Sequence, residues 1–185
     1  FFSGQYQKAL DTQCELLKIA STLGDKNNLV VIHGNFATQL ANLGKFDRAQ
    51  HHIEECRELA HNLDLPHFEA LSFLNGSSFA IEAKDWLAAE HQLDSYRRLA
   101  NEDIRENYAQ NEIRNSVLIH VHRGEKQLAI EESKGLENTD LYDLVLGQMF
   151  YEIREKEKSR QHLEKALESL DETELLERFK VLSCL

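Results

Sequence analysis

The sequence predicts an all-α fold, an α-solenoid of antiparallel helix pairs. The first observation is a recurring segment: residues 44–49, Gly-Lys-Phe-Asp-Arg-Ala, have counterparts forty residues apart at 4–9, 84–89 and 124–129. The second is that apolar residues between these segments recur every three to four positions, whereas apolar alternation over four or more residues is absent. Such spacing favours helices over strands. A period of about forty residues made of two helices is typical of a solenoid.

The recurring segment has the features of a turn between two helices. Three of the four copies begin with Gly, which adopts the positive φ needed where a helix ends. An Ala follows five positions later in each copy, as in Ala49, Ala89 and Ala129. A small residue repeated at this place predicts a close contact between the helix that follows the turn and the helix that precedes it.

Composition limits the classes of partner. The chain has 185 residues and a net charge of −11, which argues against direct nucleic-acid binding and against an anionic membrane surface. Three widely spaced cysteines without a CxxC pair indicate a reducing compartment, and we expect a cytoplasmic protein. No apolar run approaches the roughly 20 residues of a membrane span. The chain begins with Phe1 and its only Met is Met149, so we expect a piece of a longer protein.

The first half divides into regularly spaced helices. Leu23-Gly24-Asp25 ends the first helix, and Asn27-Asn28 are expected to cap the second. Pro66 stands where another helix begins. The predicted helices cover residues 6–22, 29–43, 46–61, 66–83 and 86–100.

The second half departs from the forty-residue rhythm. One long helical stretch is predicted from Asn101 to Arg123, followed by a short helix that Gly135 ends early. Ser159 takes the place of Ala129, so the fifth copy comes thirty residues after the fourth. Thr173 is expected to cap a last helix. The predicted repeats in a single domain of residues 1–185 are 1–28, 29–65, 66–101, 102–139, 140–172 and a partial 173–185, about five in all with truncated ends.

The repeated residues resemble the tetratricopeptide repeat (TPR). Leu146-Gly147-x-x-Phe150, followed by Ser159, Leu163 and Ala166, is similar to its pattern of Leu-Gly, an aromatic, a small residue, a bulky residue and Ala. A second match is Phe36-Ala37-x-x-Leu40, Gly44, Ala49, Ile53 and Cys56, in which Ala replaces Gly and Cys replaces Ala. The early Trp and terminal Pro are missing, and the period is forty rather than 34.

The resemblance implies a right-handed superhelix whose concave face is lined by the first helix of each pair. The long period looks like that of kinesin light chains, bacterial peptide-pheromone receptors and sensory regions of bacterial signalling proteins. We therefore expect a protein- or peptide-binding module, the sensory or regulatory part of a multidomain protein such as a diguanylate cyclase or a transcriptional regulator. The alternative is a structural scaffold without a ligand switch, and a homodimer through the solenoid ends is a further expectation.

One row of polar residues falls on the expected concave face. Asn35, Asn75 and Asn115 each lie nine residues before the residue that ends their helix. A side-chain amide can donate to and accept from a peptide backbone at once, and kinesin light chains and pheromone receptors use similar asparagines to hold extended peptides. The alternative is that Asn is simply common at this place in the family. The other candidate residues around the row are Thr38, Asn42, Ser78, Arg114, Leu118 and His122.

Catalytic and metal chemistry are not expected. His52 and Cys56 lie four residues apart, the spacing of half a zinc site, but no second pair of ligands has suitable spacing. We expect Cys56 in a buried small-residue position and His51 and His52 at the surface. No phosphate-binding loop or nucleophile motif occurs, so the sequence predicts a non-enzymatic segment without a cofactor.

Overall fold

The computed structural model describes residues 3–139 and 141–169. This part of the chain is α-helical and contains no strand, which confirms the all-α prediction. Its helices are α1 (Ser3–Leu23), α2 (Lys26–Asn42), α3 (Phe46–Asn62), α4 (Pro66–Glu82), α5 (Trp86–Leu99), α6 (Glu102–Asn107), α7 (Ala109–His122), α8 (Lys126–Ser133), α9 (Tyr142–Glu152) and α10 (Lys156–Ser169), with a 3-10 turn at Lys134–Leu136. None of these helices is long and apolar enough to cross a membrane.

The first helices follow a twenty-residue rhythm. Helices α2, α3 and α4 have 17 residues each, and three residues separate one from the next. Positive φ angles occur at Gly24 (67°), Gly44 (69°), Asp64 (54°) and Lys84 (63°), twenty positions apart. The residue after each donates its N–H to the carbonyl five positions earlier at 2.8–3.0 Å. This is the Schellman cap, which satisfies carbonyls at a helix end and reverses the chain.

Helices pack in neighbouring pairs. The closest pairs are α2 with α3, α4 with α5 and α9 with α10, and α7 packs with α8. Ala49, Ala89 and Ala129 have no exposed surface, as predicted. In the α4–α5 pair the Ser77 hydroxyl donates to the carbonyl of Ala89 at 2.9 Å. The small residues therefore let one helix approach the backbone of the other.

The chain divides into two compact units, Phe1–Ile104 and Arg105–Leu185. The core of the first is built from the inner faces of α1 to α4, including Leu10, Val30, Leu40 and Ile53. In the second, the Ser159 hydroxyl donates to the carbonyl of Gly147 at 2.9 Å, the reverse of the serine contact between α4 and α5. The single domain, its repeat boundaries and its right-handed superhelix stay predictions.

Three local predictions were wrong, two at helix starts and one inside a predicted long helix. Helix α1 runs from Ser3 through Gly4, so the first copy of the recurring segment forms no turn. Asp25 rather than Asn27-Asn28 caps α2, because its carboxylate accepts the N–H of Asn28 at 3.1 Å. The last predicted helix, from Thr173 onward, lies outside the described residues.

The third error is the long helix from Asn101 to Arg123, which breaks at Tyr108 (φ −118°, ψ 18°) between α6 and α7. Across the break, Nη2 of Arg105 lies 3.1 Å from Oε1 of Glu112. This ion pair bridges the break, and apolar spacing alone predicts neither feature.

Candidate functional site

A half-open pocket of about 140 Å³ lies between α2, α3 and α4 in the first unit. Three of the predicted binding residues, Asn35, Thr38 and Asn75, line it. The full lining is Val30, Val31, Gly34, Asn35, Thr38, Ile53, Cys56, Phe68, Leu71, Ser72 and Asn75. The forty-residue count therefore identified two residues, Asn35 and Asn75, that line one pocket.

Helix geometry explains why these residues meet. On both helices consecutive lining positions are one or three residues apart, from Val30 to Thr38 on α2 and from Phe68 to Asn75 on α4. Residues three and four apart share one face of a helix. One face of α2 and one face of α4 thus form the walls of the pocket, and Ile53 and Cys56 of α3 complete its lining.

Gly34 keeps the space between the helices open. It lies inside α2, where Gly costs about 1 kcal/mol relative to Ala. A Cβ built on it would lie 3.6 Å from Sγ of Cys56, an ordinary van der Waals distance. Ala would therefore fit here without a clash, but it would fill part of the pocket.

The two pocket asparagines have unused hydrogen-bonding capacity. Asn35 is exposed and Asn75 is half-buried. Within the described part of the chain, neither side chain hydrogen-bonds to another group. Thr38 differs, since its hydroxyl donates to the Gly34 carbonyl at 3.1 Å. The amides of Asn35 and Asn75 are thus the groups available to a ligand here.

The pocket disfavours negative charge. None of its lining side chains carries a charge. Burial raises the pKa of the Cys56 thiol from 9.0 to about 11, an effect that outweighs the opposing influence of Arg57. The thiol is therefore neutral at pH 7 and a poor nucleophile.

Arg57 lies beside the pocket and is held by neutral groups. Its Nε donates to Oγ of Ser72 at 3.1 Å, and its Nη2 donates to Oε1 of Gln92 at 2.8 Å. The guanidinium carbon lies 3.9 Å from the centre of the Phe73 ring. Burial lowers the pKa of Arg57 below its ordinary value, although Glu54 and Glu69 oppose the shift. These contacts join α3 to α4 and α5 and orient the Ser72 hydroxyl at the pocket wall.

The remaining predicted residues do not join this pocket. Asn42 is exposed beyond it, and Ser78 bonds through its hydroxyl to the carbonyl of Leu74 at 3.3 Å. In the second unit, His122 is exposed and Nη1 of Arg114 donates to Oδ1 of Asn115 at 3.3 Å.

The expectation of a solvent-facing amide is wrong for Asn115. Its side chain has no exposed surface, and Leu118 is only 5% exposed. Every residue from Asn115 to Ile119 is buried, so α7 is covered on several sides rather than along one stripe. Counting forty residues from Asn75 finds the position but not its burial.

Two histidines contact each other near the pocket. Nδ1 of His52 lies 3.1 Å from Nδ1 of His33, and the His52 ring packs on Phe36 with centroids 4.5 Å apart. His51 is exposed as expected, whereas His52 is half-buried, which corrects its predicted surface position. Cys56 is 3% exposed, in agreement with its expected core role.

No group of three or more His, Cys, Asp or Glu side chains in the described residues is placed to hold a metal ion. The expectation that the protein needs no metal stays a prediction.

Sequence reasoning missed the apolar part of the site. Phe68 and Leu71 were assigned no role, although they form the α4 wall with Ser72. Gly34 could have indicated this part of the site, because a glycine inside a helical pattern often has a packing or functional reason.

Comparison with known proteins gives no further guide: no protein-family model, curated protein or solved structure matches this chain.

Proposed function

We propose that this chain is a TPR-like peptide-binding module that holds an extended peptide along α2 and α4. The observation that supports the proposal best is the pair of amides, Asn35 and Asn75, on neighbouring helices at one pocket without hydrogen-bond partners in the described chain. An amide offers both a donor and an acceptor, which matches the N–H and C=O of a peptide unit. Binding would replace water with peptide groups at both side chains.

The arrangement of α2 and α4 suits an extended chain. The two helices contact each other and both line the pocket. A peptide that rises about 3.3 Å per residue can therefore contact both helices with a short segment. In this proposal the module is the sensory or regulatory part of a cytoplasmic bacterial signalling protein, and catalysis belongs to other segments.

Affinity selection from a random peptide library, followed by calorimetric titration, tests the proposal. One neutral hydrogen bond contributes about 0.5–1.5 kcal/mol, so Asn35→Ala and Asn75→Ala should each weaken binding about 2- to 13-fold. The double variant should approach the product of the two effects. Melting temperatures should not fall, because neither amide bonds within the described chain and Ala has the higher helix propensity.

Asn62→Ala is the matched control, because Asn62 is an exposed asparagine at the end of α3, outside the pocket. Its affinity should equal that of the wild type. Selection without any binder, or binders that tolerate the double variant, would refute the proposal and favour a scaffold role.

A further inference from the structure

The pocket between the two asparagines has an apolar interior of defined size. Its volume of about 140 Å³ is close to that of an engineered cavity of about 150 Å³ that holds benzene. A leucine or isoleucine side chain has four carbons and fits such a space, whereas the indole of tryptophan has half as many heavy atoms again as benzene.

The interior favours a hydrocarbon group over a polar one. Its open apolar surface comes from Val31, Phe68 and Leu71, because Val30 and Ile53 in the lining are already fully buried. The Cys56 thiol beside them has a pKa raised to about 11 by burial, which indicates that an anion is disfavoured there. An aspartate or glutamate side chain would lose its hydration without gaining a cationic partner from the lining.

An extended peptide presents its side chains alternately to opposite sides. When the peptide backbone bonds to Asn35 and Asn75, alternate side chains of the segment between them face the pocket. Gly34 lies beside Asn35, and its missing Cβ leaves the space above Cys56 open.

We infer that this pocket selects one aliphatic side chain of leucine or isoleucine size in the bound peptide, with Gly34 and Cys56 setting the size limit. This inference rests on the peptide-binding function proposed above, which specifies how the backbone is held but not which sequence is chosen.

The test uses the peptides selected from the random library. One peptide position should be enriched in leucine or isoleucine, and replacing that residue by alanine should weaken binding about 10- to 100-fold. Aspartate or tryptophan at the same position should also bind poorly.

Two protein variants test the size limit from opposite sides. Gly34→Ala adds a methyl group at van der Waals distance from Sγ, so it should weaken the leucine peptide about tenfold and leave the alanine-substituted peptide unchanged. Cys56→Ala removes Sγ and should improve a tryptophan-substituted peptide relative to the leucine peptide. Melting curves of both variants control for folding.

The outcomes separate the two proposals. Binders that need Asn35 and Asn75 but show no enriched aliphatic position would overturn the pocket inference and leave the peptide-binding function standing. An equal effect of Gly34→Ala on the leucine and alanine peptides would do the same. Binders that do not need the asparagines, or no binders at all, would remove the function and the inference with it.

Discussion

Acidification is expected to destabilise the first unit through His33 and His52. The 3.1 Å contact between their Nδ1 atoms requires one ring to donate and the other to accept, so the accepting ring must be neutral. Burial lowers the pKa of His33, although Glu55 opposes the shift. Burial, with the nearby charges of His33, His51 and Arg48, lowers the pKa of His52 from 6.5 to about 4.

The direction of the change in stability with pH follows from proton binding. Between pH 4 and 6.5 the unfolded chain binds more protons than the folded one, because the folded pKa is the lower. The stabilisation is therefore complete above pH 6.5 and is lost as the pH falls toward 4. A pKa unit corresponds to about 1.4 kcal/mol, which sets an upper limit of about 3 kcal/mol for His52. Since the ring is partly exposed and screened by solvent, we expect about 1–2 kcal/mol.

Urea unfolding at pH 7.5, 6.5, 5.5 and 4.5 measures this contribution. His52→Gln keeps a neutral hydrogen-bonding side chain, so its free energy of unfolding should fall less on acidification than that of the wild type, by about 1–2 kcal/mol. His91→Gln, at an exposed position on α5, should follow the wild-type slope. Parallel pH profiles for wild type and His52→Gln would refute the reasoning.

Three further predictions concern packing. Ala89→Leu should destabilise the protein by about 1–3 kcal/mol, because Ala89 is fully buried and its carbonyl accepts the Ser77 hydroxyl, whereas Ala88→Leu next to it should cost little; equal melting temperatures would contradict the close contact. Gly147→Ala should lower the melting temperature, because its Cβ would lie 2.5 Å from Cδ2 of Leu163 and 3.3 Å from the Leu163 backbone nitrogen. A stabilised Gly147→Ala would show that α9 and α10 are less closely packed than described. Gly34→Ala, by contrast, should raise the free energy of unfolding by up to about 1 kcal/mol, because Ala has the higher helix propensity.

Most helices and turns were predictable from the sequence because they depend on local chemistry. Gly24, Gly44 and Gly124 stand at positive φ, the conformation that glycine favours, and apolar spacing identified the buried faces between them. Lys84 shows the limit of this signal, because it adopts a φ of 63° without being glycine. Its place in the forty-residue pattern predicted the turn where its residue type did not.

The candidate site was predictable only in part. Asn35 and Asn75 were found by counting residues, since α2 and α4 have the same length and the same turns. The same count failed at Asn115 because the break at Tyr108 restarts the helix and α7 is buried on several sides. Such burial depends on contacts between elements distant in sequence, which the spacing within one element does not encode.

The central claim, that Asn75 recognises peptide backbone, is tested most directly by a double-mutant cycle. A selected peptide is compared with an analogue in which the amide nearest Asn75 is replaced by an ester, and both are titrated against wild type and Asn75→Ala. We expect the ester to weaken binding to the wild type about 2- to 13-fold and to have almost no effect on Asn75→Ala. An equal loss with both proteins would contradict the account.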